Sequence, residues 1–508
     1  MEISSIVKPV FLGYALNMKI PQEITAILEK LEASGHEAWL VGGCVRDLML
    51  ERKIEDWDIA TSAKPEEIMA VFPDSKYENE FGTVLVKLDE AVREKTGIKV
   101  VEITTFRQEA RYSDKRHPDQ VEFTDKLEDD LARRDFTINA LALNHKATTK
   151  KSKLGYELVD LFYGQRDLDD KIIRAVGEPE KRFGEDALRM MRAVRFAAQL
   201  GFEIESKTKE AIKKNAPWLE KISQERIRVE LEKIILSDNA EQGIRDLQEM
   251  GLLGFIMPEL EKGIGVAQNR HHVYEVFEHN VRSLGFAVQK KFSLAVRLAA
   301  LLHDIGKVQT KQGSGLEATF YNHEYVSAKQ AENILERLRF SREMTKKITH
   351  LVRYHMFVYD VGTVSEAGVR RLIKRLGPEN LDEAFNLRVA DRLGSGCPKA
   401  VPYKLRHLRY MMEKVAKDPI SVKMLKVNGR DIMRSLGVAP GPKVGAILDV
   451  LLAEVIEDPK RNTKEYLERR VLKLDKENLA KLREMAKEVI EEKRGEEDKE
   501  IKQKHWVE

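Results

Sequence analysis

Cysteine is scarce in this chain of 508 residues: Cys44 and Cys397 are the whole complement. Two thiols so far apart provide no disulfide framework and suit a reducing, cytosolic setting. Long apolar runs are also missing, and no uninterrupted stretch reaches the length that spans a bilayer. The first 20 residues carry Glu2 and Lys8 around a brief apolar patch and lack the order of a signal peptide. Net charge is nearly absent too, because 87 Lys and Arg stand against 84 Asp and Glu, leaving +3. That balance neither requires nor excludes a polyanionic partner, since a local basic patch suffices. No fixed-period repeat is visible, so the architecture is not a repeat array. What remains is 42% hydrophobic and 34% charged content, the composition of a soluble globular chain rather than a disordered one. Its length calls for roughly two to four domains.

The densest chemistry sits near the start. Val41-Gly42-Gly43-Cys44-Val45-Arg46-Asp47 follows the short apolar run Trp39-Leu40-Val41. Two glycines let the backbone turn tightly and approach a ligand, and a helix opening there aims N–H groups at an anion such as a phosphate. Asp56 and Asp58 flank Trp57 nine residues on from Asp47. On a strand, two residues apart means one face for both carboxylates and the other for Trp57. Paired carboxylates beside a phosphate cradle suit Mg²⁺ and nucleotidyl transfer. Each half alone is weak, since a Gly-Gly turn is often only a turn and an Asp-x-Asp often only a solvated loop. Their order and closeness strengthen both.

Strand-like runs crowd the first third, at 38–41, 57–61, 83–88, 98–104 and 120–123. Helical signals there are chiefly 21–34 and 65–72, with Pro21 and Pro65 suited to first turns. From Pro179 on, apolar residues recur at three and four spacing, as in 187–198, 222–236 and 292–302, and the pattern is helical almost throughout. The end, from about Lys473, is highly charged and reads as a solvated helix or frayed tail. The fold class is therefore α+β: a mixed head over 20–165, then helical segments at 166–265, 266–400, 401–470 and 471–508.

A second dense segment is Glu185-Asp186-Ala187-Leu188-Arg189-Met190-Met191-Arg192-Ala193-Val194-Arg195. Met190, Met191, Val194 and Ala198 form an apolar face, with Arg189, Arg192 and Arg195 on the other side. One reading is a solvated helix with an Asp186–Arg189 pair at i, i+3. A sharper one follows from hydrogen-bond chemistry. Asp only accepts and Arg only donates. Cytosine and adenine each offer an amine beside a ring-nitrogen acceptor, so both match the same pair. Guanine and uracil place a carbonyl against the carboxylate, and an unmade buried hydrogen bond costs roughly 1–3 kcal/mol. The pair thus accepts CTP and ATP and rejects GTP and UTP, leaving Arg192 and Arg195 for phosphate or ribose.

In these residues the chain resembles a bacterial-type (class II) tRNA nucleotidyltransferase of the CCA-adding kind, with marks in family order from about residue 20 to 470. Gly42-Gly43-Cys44-Val45-Arg46-Asp47 resembles the nucleotide-binding glycine motif, and Asp56-Trp57-Asp58 the metal-binding pair. Arg133-Arg134-Asp135-Phe136-Thr137-Ile138-Asn139-Ala140 resembles the ribose and triphosphate motif. Glu185-Asp186-Ala187-Leu188-Arg189 resembles the protein template for C and A, and Arg226-Ile227-Arg228-Val229-Glu230 the motif that braces the neck. The resemblance implies a polymerase-β-like head followed by helical neck, body and tail that grip tRNA. It implies nucleotide contacts from Gly42, Gly43, Arg46, Arg134, Asp135, Asn139, Asp186, Arg189, Arg192 and Arg195, with Mg²⁺ on Asp56 and Asp58. Glu102 matches the third carboxylate that related polymerases place on a neighbouring strand, against the plainer reading of a strand-surface Glu.

Residues 106–118 resemble the flexible loop that helps switch from C to A addition, and family members that add only CC are marked by changes there. Lys150-Lys151-Ser152-Lys153 sits in a longer connection than the family leads one to expect and reads as a polar hairpin. Residues 427–431 and 441–445 resemble the family's tail, whose backbone amides and basic side chains hold phosphates; ordinary helix-linking turns are the alternative. Bacterial poly(A) polymerase carries a basic run where this chain has Phe81-Gly82-Thr83-Val84-Leu85-Val86; that run is absent here, which argues for the tRNA enzyme.

His303-Asp304 ends an apolar helix, with His279 upstream and His323, His355 and Asp391 downstream. Imidazoles with carboxylates suit a divalent transition metal. The set resembles the HD phosphohydrolase superfamily: His279, His303, Asp304 and Asp391 match its metal pattern, while His323 and His355 match the positions that hold a second metal. The resemblance implies phosphatase or phosphodiesterase activity; the alternative is a helical domain that only shapes the tRNA grip. The leading expectation for the chain is addition of CCA to tRNA in the cytoplasm. Set against it are an A-adding or poly(A) enzyme, a phosphohydrolase with an RNA-binding head, and a non-catalytic RNA-binding protein.

Overall fold

The computed structural model describes residues 20–79, 82–110, 120–145, 156–269, 273–357, 359–396, 401–416 and 422–507. It forms two compact units. The first runs to Arg353 and includes Gly394–Gly396; the second comprises Tyr354–Leu393 and the residues after Gly396.

In the first unit, the described residues of the head form nine strands: β1 (Ala38–Val41), β2 (Trp57–Thr61), β3 (Ser75–Asn79), β4 (Thr83–Lys87), β5 (Val100–Thr105), β6 (Arg107–Ala110), β7 (Gln120–Phe123), β8 (Leu141–Asn144) and β9 (Glu157–Asp160). Seven of them form one sheet in the order β3-β4-β5-β2-β1-β8-β9. Only the central β2–β5 pair is parallel; the other neighbours are antiparallel. Leu40, Ile59 and Ile103 anchor its buried face. Helix Gln22–Ala33 lays Ile24, Ile27, Leu28 and Leu31, an i, i+3, i+4, i+7 stripe, into the same core.

The strands expected at 38–41 and 57–61 form as read. Those expected at 83–88 and 98–104 form with ends shifted by one or two residues. The run at 120–123 is a strand, but it pairs with β6 in a separate hairpin, with Arg107 opposite Phe123, rather than joining the sheet. These two strands are the legs of the segment that resembles the C-to-A switching loop; residues 111–119 lie outside the described residues. The connection holding Lys150–Lys153 also lies outside them, between the antiparallel strands β8 and β9.

Among the described residues of the first unit beyond Pro179, the pattern is helical except for Glu203–Ile204, which pairs in parallel with Ile172–Ile173, and an isolated bridge between Gln312 and Thr319. Helices Arg189–Leu200, Gln224–Leu236 and Ala240–Glu249 pack on one another as a neck. Helices Val276–Gln289, Leu294–Leu302, His323–Arg337 and Arg342–Arg353 follow. Leu294–Leu302 is buried from Ala295 to its end, as its near-continuous apolar sequence requires, and the Ser293 hydroxyl caps it by accepting from Val296 N at 3.4 Å.

The second unit contains helices Tyr403–Ala416, Gly429–Leu436, Pro442–Glu457, Lys464–Leu474 and Leu479–His505. Residues 427–431 include a capping box: Asn428 accepts from the amides of Arg430 and Asp431, and Asp431 accepts from Asn428 N at 3.0 Å. Lys443 pairs with Asp475 at 2.8 Å. The charged end departs from the solvated or frayed state expected of it. Leu482, Ala486, Ile490, Ile501 and Val507 are buried, the first three in one core with Ile447, Leu451 and Leu467. Charge density hid an apolar stripe sparse enough to escape periodicity. Among the described residues, no helix is long and apolar enough to cross a membrane.

Candidate nucleotidyl-transfer site

Strand register sets the carboxylates. Because β2 and β5 run parallel, Asp58 stands opposite Glu102 and Trp57 opposite Val101. Trp57 and Val101 are buried on one face, leaving Asp58 and Glu102 side by side on the other. Asp56 lies just before β2. Burial pushes the Asp58 carboxyl up; the Asp56 charge adds to this, while the guanidiniums of Arg134 and Arg46 oppose it. Partial burial, then the charges of Asp58, Glu78 and Asp56, push the Glu102 carboxyl up as well. Carboxylates raising one another's proton affinity in this way form a donor set that a divalent cation fits. Glu78, on β3, escaped sequence reasoning because Ser75-Lys76-Tyr77-Glu78-Asn79 carries no strand pattern.

The glycine turn is shaped by what crosses it. Gly42 has φ 74°, and a Cβ there would stand 2.7 Å from Arg134 Nη1 and 3.7 Å from Asp58 Oδ2. Only glycine lets this arginine come so near the carboxylates. Arg134 is held from behind by the fully buried Asp130, at 3.0 Å, which also takes Arg133 at 2.5 Å. Arg46 makes two bonds to its neighbour Asp47 and donates to Asn139 Oδ1 at 2.7 Å. Cys44 is buried beneath the turn, and burial pushes its thiol up to about 12. It is not a nucleophile at neutral pH.

Asp135 links head and neck. Its Oδ1 accepts from Phe136 N at 2.9 Å and from Asn139 at 3.2 Å, and its Oδ2 pairs with Arg192 at 2.6 Å. Burial alone would raise this carboxyl. The Arg192 and Arg189 charges and the Asn139 and Arg192 hydrogen bonds outweigh it and hold the group well below the usual carboxylate range.

The expected Asp186–Arg189 ion pair does not form. Asp186 instead takes Arg226, at 2.7 and 3.3 Å, and accepts from Leu188 N at 3.0 Å. Arg189 donates to Glu185 at 2.6 Å and to the carbonyls of Arg133 and Arg182 at 3.1 and 3.4 Å. Asp186 caps the preceding helix in extended backbone, so helical i, i+3 geometry does not apply to it. Both side chains nonetheless line one cleft of about 590 Å³, together with Arg134, Asp135, Arg192 and Arg226. Arg195 departs from the expected solvent-facing side: it is buried and pairs with Glu230 at 3.2 Å. Asp130, Glu185 and Glu230 were not singled out from sequence. The only signal for them was an acidic residue three or four positions from an arginine, or the motif at 226–230.

A second cluster lies further along the first unit. His279 Nε2 and His303 Nε2 are 3.0 Å apart, and Asp304 Oδ2 is 3.2 and 3.3 Å from them. His323 Nε2 is 3.2 Å from Asp304 Oδ1, and Lys307 pairs with Asp304 at 2.6 Å. All of these side chains are buried. His303 Nδ1 and His323 Nδ1 face the carbonyls of Ala300 and Phe320 at 2.9 and 2.8 Å. A proton on each Nδ1 leaves each Nε2 lone pair directed at the cluster, the orientation a metal ligand needs. Asp304 is held well below the usual carboxylate range by the charges of His303 and Lys307 and by imidazole hydrogen bonds, against burial that acts upward. His355 and Asp391 belong to the second unit, where Asp391 accepts from Arg388 at 2.6 Å.

Residues 38–174 match the family model described as "Poly A polymerase head domain", 201–264 match "Probable RNA and SrmB- binding site of polymerase A", and 272–395 match "HD domain". The head is thus that of a nucleotidyltransferase. Over 456 residues the chain is 36% identical to the CCA-adding enzyme of Limosilactobacillus reuteri (strain DSM 20016), covering 89% of this chain and 96% of the relative. A CCA-adding enzyme from Enterococcus faecalis is 33% identical over 88% of this chain and 94% of its own length. Among solved structures, the Bacillus stearothermophilus CCA-adding enzyme in complex with CTP is similar at TM-score 0.57 and 29% identity, covering 90% of this chain and 97% of that one. The chain belongs to the CCA-adding enzyme family of tRNA nucleotidyltransferases.

Removing one partner of a buried ion pair typically costs about 3–5 kcal/mol. Asp135→Asn is therefore expected to lower stability by about 3 kcal/mol at pH 7 in urea unfolding. The native carboxyl is depressed, so its contribution is full above the unfolded carboxylate pKa of about 4 and fades as pH falls through the folded value. The gap between variant and wild type should shrink below about pH 4; a gap that widens there contradicts the assignment.

Proposed function

We propose that this chain completes tRNA 3′ ends by template-independent addition of C, C and A from CTP and ATP, with the residue roles that follow. The observation that carries the reading is the placement of Asp186 and Arg189. Both line the cleft, yet each is anchored to a separate partner, Arg226 and Glu185. An acceptor and a donor held apart in this way are pre-organised for a base edge that offers an amine beside a ring nitrogen, as cytosine and adenine do.

Asp56, Asp58 and Glu102 would hold Mg²⁺, which would supply activation of the primer's 3′ hydroxyl and charge compensation for pyrophosphate. Gly42 and Gly43 let the backbone approach the nucleotide. Arg46, Arg134 and Arg192 bind triphosphate and ribose, and Asn139 and Asp135 orient Arg46 and Arg192. The primer hydroxyl attacks the α-phosphate, and pyrophosphate leaves. We assign residues 20–165 to this head, 166–265 to the neck and body, 266–400 to the HD part, and 401–470 with 471–508 to the tail. The tRNA, both nucleotides and the reducing setting that suits the two cysteines fit the cytoplasm.

The second cluster supports a separate activity. His279, His303, Asp304 and Asp391 are the residues we assign as ligands for a divalent transition metal, with His323 and His355 for a second ion; metal held there would supply phosphate-ester hydrolysis.

Asp58→Ala should abolish nucleotide addition, by about a thousandfold or more, while tRNA affinity in a filter-binding assay stays within about twofold. Lost tRNA binding with residual addition would refute the role given to Asp58. His303→Ala should leave CCA addition unchanged and remove metal-dependent phosphatase activity, together with metal retained after gel filtration. Collapse of addition in that variant would mean that the two sites are not separable.

A further inference from the structure

Three guanidinium groups gather around one aromatic ring. The Cζ atoms of Arg195, Arg46 and Arg192 lie 4.1, 5.2 and 5.3 Å from the ring centroid of Phe196. Arg46 comes from helix Gly43–Met49 of the head, whereas Arg192, Arg195 and Phe196 belong to neck helix Arg189–Leu200. The ring is buried and meets Phe136 edge-on at 5.7 Å.

Like charges so close repel one another. Burial first, and then the Arg192 charge with a further push from Arg46, brings the Arg195 guanidinium down to about 10. Each arginine has its own carboxylate: Asp47 for Arg46 at 2.8 Å, Asp135 for Arg192 at 2.6 Å and Glu230 for Arg195 at 3.2 Å. Asp135 joins Arg192 to Arg46 only indirectly, through Asn139, and no single acid takes all three arginines. The Phe196 ring is the neighbour all three share. An aromatic face carries negative electrostatic potential and attracts cations within about 6 Å, whereas an aliphatic side chain of similar bulk fills the space without that attraction. Core packing alone asks only for an apolar group here; the surrounding cations give the aromatic ring a further role.

We propose that Phe196 is a positioning residue for the nucleotide. Its ring face holds Arg46 of the head and Arg192 of the neck in one arrangement, so that the triphosphate and ribose of an incoming nucleotide meet both at once. This rests on the nucleotide-binding roles assigned to Arg46 and Arg192 above. Base choice lies with Asp186 and Arg189, so the contribution of Phe196 is common to CTP and ATP.

The test uses the full chain with Phe196 replaced by mono-, di- and trifluorophenylalanine, alongside Phe196→Leu. Fluorination weakens the ring's attraction for cations stepwise with little change of shape. Binding of CTP and of ATP is measured by equilibrium dialysis, and KM and kcat by single-nucleotide extension of tRNA. The expected result is a graded rise in KM for both nucleotides, reaching roughly tenfold in the trifluoro and Leu forms. Their ratio, the KM for tRNA and the melting temperature of the fluorinated forms should stay constant. KM values that stay flat across the fluorinated series overturn the proposal, whatever Phe196→Leu does to folding. If the unmodified chain itself bound neither CTP nor ATP, the nucleotide-site reading would fall and take this inference with it. Binding by the unmodified chain with a flat series removes this inference alone.

Discussion

The buried carboxylate of Asp135 is the contact on which the nucleotide site depends. One oxygen takes the Phe136 amide and Asn139, and the other takes Arg192 at 2.6 Å. Through Asn139 the connection reaches Arg46 at 2.7 Å, and so the helix that follows the glycine turn. A carboxylate alone in this position would be costly to desolvate; one with three such partners is both satisfied and immobile. The glycine turn, the segment from Arg133 to Asn139 and the helix that carries Arg189 are thereby fixed relative to one another. Head and neck share a short backbone bridge between Phe136 and Ala175, and side-chain links of this kind add to it in setting their geometry.

The two chemical centres arise by different local means. In the head, parallel pairing of β2 with β5 puts Asp58 beside Glu102 without any special loop, because equal register on parallel strands means the same face. In the second cluster, His303 and Asp304 follow directly on helix Leu294–Leu302, and backbone carbonyls orient the imidazoles. A strand face sets carboxylates side by side on one surface of the sheet. A buried helix end presents Nε2 atoms to an enclosed point, which suits a tightly held ion.

Local chemistry was legible in the sequence, and long-range pairing was not. Asp56 and Asp58 could be placed because a two-residue period fixes the face, and the glycine turn because its residue types permit little else. His279, His303, Asp304 and His323 could be grouped because few residue types bind transition metals. The partner of Asp186 could not be read, since Arg226 is 40 positions away and the choice between it and Arg189 turns on extended backbone at Asp186. Strand β3 is a polar edge strand whose pairing comes from β4 rather than from its own pattern. The buried stripe in the final helix was masked by the charges around it, and the setting of Phe196 depends on an arginine 150 positions earlier.

We propose that the Asp186 and Arg189 edges, rather than a nucleic-acid template, choose the base. It is tested most directly by giving the purified chain and Mg²⁺ two substrates, tRNA ending at the discriminator base and tRNA ending in CC, with all four nucleoside triphosphates. The sequence added to each is then read. Extension of the first by C, C and A and of the second by A alone, with no U or G, is the predicted result. Incorporation of U or G contradicts the protein template. Extension of the CC-ended tRNA only would make this an A-adding enzyme, and a long A tail on unrelated RNA would place it with poly(A) polymerases.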